Sequence, residues 1–222
     1  MALYLVTGGA GFIGSHLAEA LVERGDRVRV FDDLSSGRRE NLARLLEGRG
    51  QVDLVTGDLA DAPAVRAACR GVAGIFHEAA QVSVPQSLAD PARSYAVNVT
   101  GTLHVLEGAR LEGVGRVVFA ASSAAYGESE TLPKVESMPP APLSPYASGK
   151  VAGEQLMSVW GSAFGLRTAS LRYFNVFGPR QVDDSPYTGV IAIFAKALLE
   201  GRRPTIYGDG EQTRDFNFVS NV

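Results

Sequence analysis

The sequence predicts an α/β fold built on a doubly wound parallel sheet, with a smaller lobe at the C-terminal end. Three observations carry that expectation. Short apolar runs alternate with segments of helical period along most of the 222 residues, the pattern of a parallel sheet covered by helices on both faces. A glycine-rich turn joins the first apolar run to the first helical segment. Two long helical segments each open on a capping residue followed by proline, Asp90-Pro91 and Ser144-Pro145, the signature of a helix N-terminus.

In chain order, Leu3 to Thr7 reads as a buried strand and Gly14 to Arg24 as a helix, with Leu17, Ala18, Leu21 and Val22 on one face and Gly25 as its stop. Further strands are expected at Arg27 to Phe31, Val52 to Thr56, Gly74 to Phe76, Arg116 to Ala121 and Arg167 to Tyr173. The two long helices are expected from Asp90 to about Glu112 and from Ser144 to about Phe164. Between Leu132 and Pro145 lie five of the eleven prolines, a stretch too constrained for a flexible linker and read as an ordered wall. The domain boundary is expected near residue 174, with 1–174 as the sheet domain and 175–222 as a partial second lobe.

Composition excludes several classes. Hydrophobic residues are 45% and charged residues 20%, so the chain is globular rather than disordered. A net charge of -3 offers nothing to nucleic acid. The single cysteine, Cys69, rules out a disulfide within the chain and reads as a small buried apolar residue. No grouping of His16, His77 and His104 with other ligands has metal spacing. The apolar runs fall short of the ~20 residues that span a bilayer, and no basic segment precedes the first one, so a cytoplasmic protein without membrane contact is expected.

The turn Thr7-Gly8-Gly9-Ala10-Gly11-Phe12-Ile13-Gly14 spaces glycines at 8, 11 and 14. Glycine suits such a turn because the chain reverses tightly, a pyrophosphate must approach the backbone, and the helix must pack close to the strand. The helix N-terminus then offers free N–H groups and partial positive charge to the phosphates. Asp32 follows the second strand, where a carboxylate accepts from the ribose hydroxyls of adenosine and repels a 2′-phosphate, favouring NAD over NADP. Arg38 and Arg39 nearby keep the phosphorylated form open. Asp58, after the third strand, is placed to accept from the adenine amino group.

Tyr146 and Lys150 stand four apart near a helix start and so share a face. A phenol titrates near 10; an adjacent ammonium and a nicotinamide cation are expected to draw it toward neutrality, making it a base. Ser122 lies just past the fifth strand, at the carboxyl edge where open α/β sheets bind ligands. Its neighbour Ser123 points the other way by strand alternation.

These residues, with TGGAGFIGSHL, HEAAQ, Asn98 in NVTGT, SSAAYGE, YASGK, LRYFNVFGPRQ and IYGDGEQTRDF, resemble the extended short-chain dehydrogenase/reductases, in particular their sugar-nucleotide epimerase and dehydratase group. The likeness is greatest to the UDP-glucose 4-epimerases and covers essentially the whole chain. It implies a Rossmann domain, bound NAD, and a UDP-sugar epimerised at C4 through transient oxidation to a 4-keto sugar. It implies Ser122, Tyr146 and Lys150 as catalytic residues, Tyr146 moving the C4 hydroxyl proton, Ser122 holding the sugar oxygen and Lys150 also binding the nicotinamide ribose. It adds cofactor contacts at Phe12, Ile13, Asp33, Ser36 and Gly37, at Leu59, Ala79, Ala80 and Gln81, and at Asn98 and Tyr173. On the substrate side it implies Asn175 and Arg214 on the diphosphate, the segment near Tyr207 along the uracil, and Gly189 and Val190 nearby. His77 reads as structural, and His77-Glu78 departs from the group's usual His-apolar pair.

In this group the catalytic hydroxyl lies four residues before the Tyr of the YG pair, here Tyr126. Dehydratases carry Asp-Glu immediately after it, and the UDP-glucuronate decarboxylases a Glu two after it. Ser123 and Ala124 stand there instead, and neither is an acid near neutral pH. The competing readings are an idle NAD-binding or redox-sensing module, and another nucleotide-sugar oxidoreductase. The helices from Asp90 and Pro145 correspond to a pair that forms a two-fold interface in the group, so a homodimer is expected. Members usually run past the position of Val222 with more of the substrate lobe, so the chain is expected to be a fragment or a shortened form.

Overall fold

A computed structural model describes residues 1–48, 50–181 and 189–222. The chain divides into two compact units, Met1–Tyr173 and Phe174–Val222. The first unit runs β1 (Leu3–Thr7), α1 (Phe12–Glu23), β2 (Arg27–Asp32), α2 (Ala43–Leu46), β3 (Val52–Thr56), α3 (Ala62–Cys69), β4 (Gly74–His77), α4 (Val84–Ala89), α5 (Pro91–Tyr95), α6 (Gly101–Leu111), β5 (Arg116–Ser122), α7 (Pro145–Phe164) and β6 (Arg167–Tyr173). Its six strands form one all-parallel sheet in the order β3-β2-β1-β4-β5-β6. Strand order reverses between β1 and β4, which opens a crevice at the carboxyl edge of such a sheet.

Strand alternation sorts the core. Leu5 and Phe31 point to one face and join Val65, Cys69, Ile75, Leu106, Phe119 and Met157. Val6, Val28 and Val30 point to the other, with Ala18, Leu21 and Leu42. Burial pushes the Cys69 thiol up to about 12, so it stays an inert apolar filler.

Both long helices begin as the capping residues require. The Asp90 side chain accepts from the Arg93 N–H at 3.0 Å, and the Ser144 hydroxyl from the Ala147 N–H at 3.1 Å. Gly25 follows α1 at φ +91°, and Gly165 ends α7 in the left-handed region. The expected single helix from Asp90 is corrected to three pieces, because a π-helical turn, Ala96–Thr100, interrupts it between α5 and α6. Helix α1 starts two residues earlier than expected, so Phe12 and Ile13 lie in its first turn. Residues 132–144 form no helix or strand, and Ala141 fastens them by donating to the Ala125 carbonyl at 2.8 Å.

The second unit, by itself, contains β7 (Asn175–Phe177), α8 (Val190–Leu199) and β8 (Phe216–Phe218). Strands β7 and β8 pair in parallel, and Phe177 packs against Phe216 and Phe218. Among the described residues no helix is long and apolar enough to cross a membrane.

Candidate active site

The turn after β1 requires its glycines. Gly8 has φ +68°, and a Cβ there would lie 2.6 Å from the Ala79 nitrogen. A Cβ on Gly14 would lie 2.2 Å from the Gly8 carbonyl oxygen, and one on Gly11 would lie 3.1 Å from it. Gly11 is the N-cap of α1 and supplies no side-chain cap, so the first-turn amides at Phe12, Ile13 and Gly14 face the crevice with the positive end of the helix dipole. A backbone bared in this way at a helix start is shaped for a phosphate group.

Asp32 ends β2 and is 6% exposed. Its Oδ2 accepts from the Ala10 N–H and its Oδ1 from the Leu34 N–H, both at 2.9 Å. Burial pushes this carboxyl up, and the two amides and the neighbouring Asp33 modify it. Each oxygen keeps a lone pair for a further donor, the number that two ribose hydroxyls need. Gly37 lies against it, since a Cβ there would meet Asp32 Oδ1 at 2.7 Å. Ser36, Arg38 and Arg39 are exposed.

Asp33 and Asp58 share a cation absent from the sequence reading. Arg93 lies 2.8 Å from Asp58 Oδ2 and 3.6 Å from Asp33 Oδ2. The Ala60 amide and Arg93 hold the Asp58 carboxyl below its ordinary range, which leaves it acceptor-only. Leu59 is buried against Gly101, and its carbonyl accepts from His104 Nδ1 at 2.8 Å.

A directed chain of hydrogen bonds shapes the loop after β4. Thr102 gives its proton to the Asn98 carbonyl at 2.8 Å, so its oxygen must accept from His77 Nε2 at 3.0 Å. His77 Nδ1 is then the acceptor, and the Thr7 hydroxyl donates to it at 2.7 Å while accepting from the Ala79 N–H at 3.3 Å. Complete burial drives the His77 pKa down to about 3, so the ring is neutral, as this chain demands. Asn98, set on the π-helical turn, accepts from the Gln81 N–H at 2.9 Å and donates to the Gln81 carbonyl at 3.1 Å. Its amide therefore grips the loop carrying Ala79, Ala80 and Gln81. Gln81 Oε1 is buried with no partner among the described residues, an acceptor suited to a ligand hydroxyl or amide.

Ser122, Tyr146 and Lys150 come together at the ends of β5 and α7. The Ser122 hydroxyl is near enough to the Tyr146 phenol to draw its pKa down, and it accepts from the Ala124 N–H at 3.1 Å. Lys150 is 3% exposed, donates to the Ala120 carbonyl at 2.7 Å, and sits 5.9 Å from the centre of the Tyr146 ring. Helix α7 lies close over β5 because Gly153 faces Phe119; a Cβ there would come within 2.5 Å of Phe119 Cζ.

Electrostatics correct one expectation. In the free protein the Tyr146 phenol is shifted up, not toward neutrality, because burial outweighs the Ser122 hydrogen bond. Burial also brings Lys150 down to about 8. A carboxyl that sequence reasoning passed over lies in the same place. Glu78 follows β4, accepts from the Tyr173 hydroxyl at 3.3 Å, and is pushed up by burial to about 7 while Lys150 draws it back. Its signal in the sequence was the departure from a His-apolar pair.

In the second unit, Asn175 Nδ2 donates to the Asp215 carbonyl at 2.9 Å and Arg214 donates to the Thr213 carbonyl at 2.8 Å. Gly189 caps α8 and Val190 begins it. Asn175, Gly189, Val190, Tyr207 and Arg214 are all exposed on this unit.

Comparison with known proteins follows the same lines. The model of the NAD dependent epimerase/dehydratase family matches residues 4–222. The UDP-glucose 4-epimerase of Mycolicibacterium smegmatis is 45% identical over 220 residues, 98% of this chain and 70% of that protein. A solved UDP-N-acetylglucosamine 4-epimerase from Methanobrevibacter ruminantium, in complex with UDP-N-acetylmuramic acid, superposes at a TM-score of 0.92 with 41% identity over 98% of this chain and 69% of its own. The Thermus thermophilus UDP-glucose 4-epimerase in complex with NAD gives 0.88 and 43%, over 99% and 71%. The chain thus spans about 70% of the length of these relatives.

Proposed function

The chain belongs to the NAD dependent epimerase/dehydratase family, and we propose that it epimerises a UDP-hexose at C4 with bound NAD. The observation that carries this reading is the Ser122–Tyr146–Lys150 cluster at the carboxyl edge of a sheet whose first turn is bared for phosphate. An intact cluster of this kind favours an enzyme over an idle dinucleotide-binding module.

The residues present fit NAD. The α1 amides after Gly8 and Gly11 would hold its pyrophosphate, and the free lone pairs of Asp32 its adenosine ribose. Gln81 Oε1 would accept from a cofactor or sugar donor, and Asn98 serves the site by gripping Gln81. Asp58 and Asp33, bridged by Arg93, border the adenosine end. When bound, NAD supplies a hydride acceptor that returns the hydride to the opposite face of the sugar. Tyr146 takes the C4 hydroxyl proton at its phenolic oxygen and later gives it back. Ser122 orients that hydroxyl and supports the phenolate by donating to it. Lys150 contributes positive charge beside the phenol and would hold the nicotinamide ribose. A cation arriving with the cofactor offsets the burial that holds Tyr146 protonated in the free protein.

Residues 1–174 act as the NAD domain and 175–222 as part of a substrate lobe, with Asn175 and Arg214 toward the diphosphate, Tyr207 toward the uracil, and Gly189 and Val190 beside them. The assembly is a cytoplasmic homodimer. Ser123 and Ala124 supply no acid, which argues for epimerisation over elimination or decarboxylation. Mass spectrometry of products from UDP-glucose and UDP-glucuronate tests this. Products of unchanged mass are expected; catalytic loss of water or carbon dioxide would assign a different reaction.

A further inference from the structure

We infer that Glu78 is a positioning residue of this site, its carboxyl group being the one that, once ionised, supplies the counter-charge to the buried Lys150 ammonium beside Tyr146. The inference deepens the proposed function and rests on it for its catalytic meaning. The placement comes from the sheet. Glu78 leaves the end of β4, its N–H bonded to the Thr7 carbonyl at 3.2 Å, and its carboxyl reaches across to the Tyr173 hydroxyl at the end of β6. Lys150 enters the same region from α7, almost fully buried, with one carbonyl acceptor, Ala120, and the ring of Phe119 4.9 Å away. One carbonyl repays only part of the lost hydration of an ammonium, so a negative charge nearby is what extends its protonated range above neutrality.

The other groups around Lys150 cannot provide it. His77 is neutral and spends both nitrogens on Thr7 and Thr102. Tyr146 and Tyr173 are both shifted up and keep their protons. Glu154 on α7 is committed to Arg172, both guanidinium–carboxylate contacts being 2.8 Å. Among the described residues Glu78 is the charged group that raises Lys150 against the effect of burial. The two titrate as a coupled pair.

The protein contains three lysines, Lys134, Lys150 and Lys196, so the test is direct. Lys134→Arg with Lys196→Arg leaves Lys150 as the sole lysine, and lysine labelled with 13C at Cε reports its titration by NMR. In this background without NAD, Lys150 is expected to titrate near 8. Glu78→Gln keeps an acceptor for Tyr173 but removes the charge, and should lower that value by about 1 unit or more; Glu78→Asp should restore most of it. Should the Gln variant fail to fold, Glu78→Leu makes the same measurement. An unchanged Lys150 titration in a folded, charge-removed variant overturns the inference. The readout needs neither NAD nor sugar, so absence of epimerase activity would count against the proposed function alone. In an active enzyme, Glu78→Gln should also move the alkaline limb of the kcat profile to lower pH, a shift that loss of a purely structural hydrogen bond would not produce.

Discussion

Tyr146 is held by its surroundings in the protonated state, so the proposed role as a base depends on charge that arrives with the cofactor. Tyr146→Phe removes one oxygen, leaves the fold and NAD affinity unchanged, and should lower turnover by about 10² to 10⁴; unchanged turnover would assign the proton to another group. His77 and Glu78 make a second prediction, in stability. Between pH 4.5 and 6.5 the unfolded chain binds a proton on His77 that the fold refuses, so this group makes stability rise with pH. Over pH 4.5 to 7 the folded protein keeps a proton on Glu78 that the unfolded chain has released, so that group makes stability fall with pH. Glu78→Gln removes the second effect. Urea unfolding at pH 5 and pH 7 should show the variant gaining on the parent as pH rises, and a pH-independent difference would contradict the assignment. The sequence showed Asp32, Tyr146 and Lys150 because each stands in a spacing that chemistry requires. It did not show Arg93 as part of the site, since its partners Asp33 and Asp58 lie far along the chain.

Helix α7 converts a local sequence signal into the geometry of the candidate site. Ser144 caps it, Pro145 starts it, and Tyr146 and Lys150 follow on its first turns. Ser144→Ala should cost about 1 kcal/mol in stability and lower turnover as the first turn frays, measured by thermal melting alongside activity. An unchanged melting temperature would place the helix start under tertiary control. The same cap-and-proline logic applies to α3, where Asp61 accepts from the Ala64 N–H ahead of Pro63, and to α4, where Ser83 caps ahead of Pro85. Neither of these two helices is expected from the sequence, because their apolar faces are too short to stand out. The π-helical turn was not legible, because one residue inserted into a helical ladder leaves the hydrophobic period almost unchanged. Strands β7 and β8 are three residues each, below the length at which alternation means anything.

At the scale of the whole molecule, the parallel sheet brings the ends of β1, β2, β4, β5 and β6 to one edge, and with them residues as distant in sequence as Gly8 and Tyr173. Any ligand bound there only by the folded chain must stabilise it, by about 2.7 kcal/mol at a hundredfold excess over Kd. NAD should therefore raise the melting temperature and NADP should do so far less, because the 2′-phosphate meets the buried Asp32 carboxylate. Equal shifts would remove Asp32 from the specificity argument. The proposed homodimer is checked by light scattering at tens of micromolar, where a monomer mass would reject it. The central claim is C4 epimerisation, and its most direct measurement is proton NMR of UDP-galactose incubated with NAD-loaded protein. The account predicts catalytic appearance of the UDP-glucose anomeric signal, abolished in Tyr146→Phe. NAD-loaded protein that leaves UDP-galactose, UDP-N-acetylgalactosamine and UDP-galacturonate all unchanged would contradict it.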